Sequence, residues 1–336
     1  MASRRTKALV VAATAAAVVA AGIGVAEAGT RRGGGKGRPA PTATTKTAAP
    51  TKTTAPAPTR TTAPTKTTAP TPTGTTAPAK TTAPAATPTT TKAAAWAAPP
   101  ANAGFDYQIG GAYTPPAGVT VVSRDYTAAV APGLYNICYV NAFQTQSDDA
   151  AKQWWETNHP NVLLRDSKGK PVEDPDWDEY LLDYSTAAKR AELTQVVGAW
   201  ITTCASKGFK GVEPDNLDSF SRSGGRLKKA DALAYAASLT SYAHGKGLAV
   251  GQKNTADLST SESRTAGFDF AVAEECGEWD ECDAYTSTYG NNVVVIEYTQ
   301  NGFTKACSGF GSRLSIVLRD VNVTTPGSGS YKFKAC

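Results

Sequence analysis

Through the last two-thirds of the chain, short apolar runs alternate with longer stretches whose apolar residues fall at helical spacing. The runs predict strands at 107–110, 119–123, 135–141, 180–184, 211–215, 248–253, 268–274 and 293–298. The longer stretches predict helices at 148–157, 186–206 and 228–246. In the last of these Ala232, Leu233, Ala236, Leu239 and Ala243 form one stripe, and His244 sits near the C-terminus, where positive charge suits the helix dipole. Eight strands interleaved with helices within about 230 residues predict an α/β fold, a (β/α)8 TIM-type barrel. The competitor is an open doubly wound sheet, but no Gly-rich phosphate loop follows an early strand.

The first hundred residues follow a different rule. Residues 1–28 carry Arg4, Arg5 and Lys7, an Ala/Val-rich run, and Ala26-Glu27-Ala28 before Gly29. That order predicts a secretory signal peptide cut after Ala28, the competing reading being a membrane anchor. Residues 29–103 then cycle through Thr-Lys-Thr-Thr-Ala-Pro and close variants with almost no large apolar side chains. Such a segment cannot offset the entropy of ordering itself, so it predicts an extended low-complexity linker. The barrel expected over 104–336 is therefore placed outside the cell or at its wall.

Charge changes the picture once it is divided at that boundary. Of 34 Lys+Arg, 13 lie in residues 1–103, whereas only Glu27 of the 29 acids does. This leaves 21 basic and 28 acidic residues for the barrel, so the formal +5 of the chain misdescribes its folded part. The basic residues sit in a linker without interleaved aromatics, which argues against nucleic acid as a partner. An acidic domain on a basic tether suits a cationic ligand and an anionic cell wall.

All six cysteines, Cys138, Cys204, Cys276, Cys282, Cys307 and Cys336, lie in the barrel region, an even number that points to disulfides in an exported chain. The favoured pairing joins Cys276 to Cys282 across a short acidic loop and Cys307 to Cys336 at the C-terminus, with Cys138 and Cys204 left over for each other. His159 and His244 are the only histidines, and no CxxC pair occurs, which removes histidine triads and zinc clusters from consideration. No cofactor is expected.

Chemistry gathers where three apolar runs end in acids: Val212-Glu213-Pro214-Asp215-Asn216, Val272-Ala273-Glu274-Glu275-Cys276 and Val295-Ile296-Glu297-Tyr298. In a barrel of this type the C-terminal strand ends carry the site. Period-2 alternation puts Glu213 and Asp215 on one face, with an ion pair to Lys253 as the structural alternative for one of them. Glu274 and Glu275 point to opposite faces while the strand lasts, and alternation alone does not decide which enters the cleft. Glu297 reads equally as a site acid or as an interior partner of Lys253. Gln252-Lys253-Asn254 ends another strand with three hydrogen-bonding groups, and Asp125, Tyr139 and Asp218 complete the candidate binding set. The tryptophans Trp154, Trp155, Trp177, Trp200 and Trp279 include candidate sugar platforms, although packing is the commoner use of such rings. Two carboxylates facing one cleft, without histidine, metal or nucleotide motif, fit glycoside hydrolysis. A binding barrel without turnover and a cell-envelope spacer are the competing classes.

Three blocks carry a resemblance. Gly208-Phe209-Lys210-Gly211-Val212-Glu213-Pro214-Asp215-Asn216-Leu217-Asp218, Ala249-Val250-Gly251-Gln252-Lys253-Asn254, and Phe268-Asp269-Phe270-Ala271-Val272-Ala273-Glu274-Glu275-Cys276 with Asp280-Glu281-Cys282 resemble, in order and spacing, the signature blocks of glycoside-hydrolase family 114. The resemblance implies a (β/α)8 barrel that cleaves polysaccharide containing α-1,4-linked galactosamine in endo fashion and by retention, with Asp215 as nucleophile and Glu274 as acid/base. It implies a cationic or partly acetylated amino-sugar polymer as partner; the chain is expected to act as a monomer. Ala273 departs from the pattern, since many relatives are expected to carry Asn beside the acid. The acidic residues Glu278, Asp280, Glu281 and Asp283 are expected to form subsites for cationic sugars.

Overall fold

The computed structural model describes residues 96–336; the expected signal peptide and all of the linker up to residue 95 lie outside the described residues. Eight parallel strands form the barrel wall: β1 (Phe105–Gln108), β2 (Val121–Asp125), β3 (Tyr135–Asn141), β6 (Gly211–Asp215), β7 (Ala249–Lys253), β8 (Phe270–Glu274), β9 (Val293–Glu297) and β10 (Ser315–Arg319). A hairpin of β4 (Glu173–Asp174) and β5 (Glu179–Tyr180) lies between β3 and β6, and β11 (Phe333–Ala335) runs antiparallel to β10. The nine-stranded sheet runs β1-β2-β3-β6-β7-β8-β9-β10-β11, with the β4–β5 hairpin outside it. The seam from β10 back to β1 is bridged by side chains: Arg319 Nη1 donates to Asp106 Oδ1 at 2.9 Å, both groups fully buried.

Six helices accompany the strands: α1 (Asp149–Asn158), α2 (Ala187–Lys207), α3 (Lys229–Gly245), α4 (Thr260–Ala266), α5 (Cys282–Tyr289) and α6 (Gln300–Phe310). Their ends follow local chemistry. Thr186, Ser259 and Thr299 accept from backbone N–H groups of α2, α4 and α6, Ser259 within a full capping box with Glu262, and Gly208 and Gly267 end α2 and α4 in the left-handed region. No helix follows β1 or β2; loops return to the start of the next strand there.

Alternation along the strands divides the core in two. Phe105, Ile137, Phe270, Val294, Ile296 and Val317 fill the barrel interior, and the outward residues of the same strands pack against the helices. Gly251 is required inside, because a Cβ there would come within 2.8 Å of the Phe270 ring.

Three expectations are corrected here. The run at 180–184 is not a wall strand: Leu181, Leu182 and Tyr184 are buried, yet Leu181 and Leu182 make only single bridges, to Gln144 and Leu163. An apolar run specifies burial, and here the burial is in the outer core, where Tyr184 packs against Phe143 and Tyr235. The eighth wall strand is Ser315–Arg319, which the pattern of runs did not single out. The segment 96–103, assigned to the linker by composition, packs on the N-terminal side of the strands. Trp96 stacks on His244 with centroids 3.9 Å apart and donates to Asp269, while Asn292 donates to the Pro99 carbonyl. The cysteines pair as Cys138 with Cys204, Cys276 with Cys282, and Cys307 with Cys336.

Candidate active site

At the C-terminal mouth of the barrel one ammonium sits among three carboxylates. Lys253 on β7 points inward, and its Nζ lies 2.8 Å from Glu213 Oε1, 3.2 Å from Asp215 Oδ1 and 3.5 Å from Glu274 Oε2. Burial by itself disfavours the cation, but the fields of Asp215, Glu213 and Glu274 outweigh it and hold the lysine pKa well above its ordinary value. Glu213 is the deepest acid, fully buried, accepting from Lys253, from Tyr107 Oη at 2.7 Å and from Ser123 Oγ at 2.7 Å. Glu213 and Lys253 therefore form an enclosed pair under the site, a correction to their expected contact with ligand.

Asp215 and Glu274 lie one layer higher, and both are part-exposed. Asp215 accepts from Tyr139 Oη at 2.7 Å and from the backbone N–H of Asn216 at 2.8 Å. Glu274 accepts from Asn254 Nδ2 at 3.0 Å and from the Tyr298 hydroxyl, and its own N–H is taken by Asn254 Oδ1 at 2.9 Å. Since Lys253 Nζ lies 3.2 Å from Asp215 Oδ1 and 3.5 Å from Glu274 Oε2, those two oxygens are at most about 6.7 Å apart.

The backbone beyond these strands is bent to suit. Asn216, Asn254 and Glu275 all have positive φ, at 66°, 49° and 58°, a conformation that costs a non-glycine residue about 1–3 kcal/mol and collects at functional sites. The bend at Glu275 settles what alternation left open: the strand ends at Glu274, which enters the cluster, and Glu275 turns toward Glu278 and Trp279. Burial followed by the neighbouring Glu274 charge raises Glu275 to about 7.

The remaining candidates are distributed differently. Gln252 has the opposite parity to Lys253, so it faces the helices, where Ser263 and Tyr289 donate to it; it is not at the mouth. Glu297 likewise faces outward. It meets Gly277 N–H at 2.7 Å, not Lys253, and burial raises it to about 7. Asp218 pairs with Arg222 at 2.9 Å on the short helical turn after β6, and Asp125 closes a turn by accepting from Thr127. Asn216 reaches Asn141 at 3.0 Å and Glu179 at 3.4 Å. Ala273 is buried against the outer layer, so Asn254 and Tyr298, not residue 273, supply the donors to Glu274. In the acidic loop, Glu278 accepts from Thr299 and Asn301, and Asp280 pairs with Lys305. Trp155 is core, Trp177 and Trp200 are half-buried, and Trp154 and Trp279 are exposed.

Tyr107, Tyr298, Ser123 and Glu179 belong to the site but were not singled out by sequence. Tyr298 directly follows Glu297, one place from a residue that was. Cys276, Cys282 and Glu297 come within 4.8 Å of one another, but the two sulfurs are bonded to each other and offer no thiolate to a metal.

An eight-stranded parallel barrel with paired carboxylates on strands β6 and β8 at its C-terminal mouth defines a glycoside hydrolase. The model of glycoside-hydrolase family GH114 matches residues 85–336, and the chain belongs to that family. Among solved structures, Ega3 of Aspergillus fumigatus in complex with galactosamine is 21% identical, with a TM-score of 0.56 over 70% of this chain and 96% of that one. The glycoside hydrolase domain of PelA from Pseudomonas aeruginosa is 14% identical, with a TM-score of 0.48 over 68% of this chain and 98% of that one. No curated protein matches the chain by sequence.

Proposed function

We propose that the protein is a secreted, endo-acting hydrolase of polysaccharide containing α-1,4-linked galactosamine, with Asp215 as nucleophile and Glu274 as acid/base. The observation that carries this reading is that both carboxylates meet the Lys253 ammonium, with the oxygens that face it within about 6.7 Å of each other. Retaining enzymes space the pair at about 5–5.5 Å and inverting ones at about 6.5–9.5 Å, to admit a water. The bound applies to the oxygens that face Lys253 and admits both spacings, so retention rests on the resemblance of the family blocks and is tested by the anomeric configuration of the product.

Asp215 is met by three donors, the Lys253 ammonium, the Tyr139 hydroxyl and the Asn216 N–H, surroundings that suit the anionic member of the pair. In the first step Glu274 gives its proton to the leaving glycosidic oxygen while Asp215 bonds to the anomeric carbon. In the second, Glu274 takes a proton from water as that water displaces Asp215. The family and the galactosamine in the Ega3 complex support an amino-sugar substrate, and three disulfides support an extracellular setting.

The test is mass spectrometry of products from partly deacetylated α-1,4-galactosaminogalactan, with anomeric NMR of the first product. Wild type should release oligosaccharides of retained configuration, and Glu274→Gln should release none. Intact polymer with the wild type rejects the substrate, and inversion removes Asp215 from its role.

A further inference from the structure

The hairpin β4–β5 brings a fourth carboxyl to the mouth. Glu179 is almost fully buried, paired across the hairpin with Asp174. Asp174 takes Arg222, whose Nε lies 2.6 Å from Oδ2. Arg222 also donates through Nη2 to the amide oxygens of Gln144 at 2.9 Å and Asn216 at 3.0 Å. A cation on the oxygen of each amide fixes its orientation, so both NH2 groups turn toward Glu179, Gln144 at 2.9 Å and Asn216 at 3.4 Å. The pocket is thus built to hold a carboxylate's charge, yet neither Lys253 nor Arg222 forms an ion pair with it. Burying an anion without a counter-charge is costly. Asp215 adjoins through Asn216, and its negative charge adds to the cost.

We propose that Glu179 is the specificity-determining residue that receives the ammonium of an amino sugar seated against Asp215, a deepening of the substrate assignment above that rests on it. The substituent at C2 of a sugar lies two bonds from the anomeric carbon, so a ring attacked by Asp215 carries its amine beside that carboxylate and within reach of the hairpin. An ammonium there supplies the missing counter-charge, whereas an N-acetyl group brings none. In the empty site burial, reinforced by Asp215 and Asp174, raises Glu179 to about 8. At pH 7 the free protein therefore holds a proton on Glu179, which passes to buffer when the ammonium binds and the carboxylate forms.

The experiment uses the full chain in the inactive Glu274→Gln background, titrated calorimetrically with an α-1,4-galactosamine hexasaccharide and its N-acetylated counterpart in buffers of different ionisation enthalpy. The expected result at pH 7 is release of close to one proton with the amine ligand and none with the acetylated one. Adding Glu179→Gln should abolish the release and weaken the amine ligand by roughly 100-fold while changing the acetylated ligand little. Glu179→Asp should recover part of both. Equal weakening of the two ligands, or proton release that survives Glu179→Gln, overturns the inference. If enzyme with Glu274 intact cleaves no galactosamine polymer, the substrate assignment falls first and this inference falls with it.

Discussion

Replacing Lys253 with Met tests whether the mouth is held together as its distances indicate. The ammonium contacts Glu213 at 2.8 Å, Tyr107 Oη at 3.0 Å and Asp215 at 3.2 Å, and it is 1% exposed. Methionine fills much of the same volume but leaves Glu213 with two hydroxyl donors, no cation, and Asp215 beside it. Removing one partner of a buried pair costs about 3–5 kcal/mol, because the remaining charge is left without compensation. In a folded unit of this size each kcal/mol shifts Tm by roughly 2–4 °C, so a fall on the order of 10 °C is expected. The sign with pH is fixed as well. In the wild type the raised Lys253 pKa contributes stability that is fully present below about 10.5 and constant between pH 5 and 7. Glu213, already raised by burial in the wild type, rises further once the lowering influence of Lys253 is gone, so more of its stability is present only in acid and lost as pH rises, and the deficit grows toward neutrality. Guanidinium unfolding at pH 5 and 7, disulfides intact and followed by tryptophan fluorescence, measures both. A deficit under about 1 kcal/mol at pH 7, or one equal at the two pH values, would refute the reasoning.

Two further outcomes follow from groups away from the mouth. Glu297 is raised to about 7 by burial, so its contribution is fully present below the unfolded value near 4.5 and lost as pH rises through 7. That amounts to about 3 kcal/mol across the interval, and Glu297→Gln should remove that share of the fall in unfolding free energy between pH 5 and 8, leaving the share of Glu275 and Glu179; an unchanged slope would refute the assignment to Glu297. Trp96→Ala removes the stack on His244 and the bond to Asp269 at a cost of roughly 1–3 kcal/mol. It should leave kcat/KM on the polymer unchanged, since these contacts lie at the opposite end of the strands from Asp215 and Glu274.

Alternation and strand-end position were enough to put Glu213 and Asp215 on one face near the mouth, because side-chain parity is a property of the single strand; that Glu213 lies enclosed beneath was decided by the closed barrel. The same rule offered Lys253 as a partner for one acid, which the structure supplies. It failed at Gln252 and Glu297: both stand at strand ends, but their parity turns them toward the helices, and only the register of β7 and β9 in the closed wall shows which parity is inside. Helices α1, α2 and α3 were legible from their spacing, whereas α4 and α5, of 7 and 8 residues, were too short for a stripe to declare itself; α6, of 11 residues, was missed although it is longer than α1. Leu181 and Leu182 were misread as wall because burial in the outer core and burial in a sheet leave the same apolar run.

The sequence by itself determined what is local and periodic: the barrel class, the acids at strand ends, an even set of cysteines in the barrel region, and family blocks that contain Asp215 and Glu274. Tertiary structure decided what depends on residues far apart in the chain meeting. It brought Lys253 among acids from β6 and β8, Tyr107 and Tyr298 onto those acids, and Glu179 over the mouth on a hairpin whose sequence carries no sign of it. The physical reason is that a charge in a low-dielectric interior is governed by every group within a few ångströms, and those neighbours are set by the closure of the barrel.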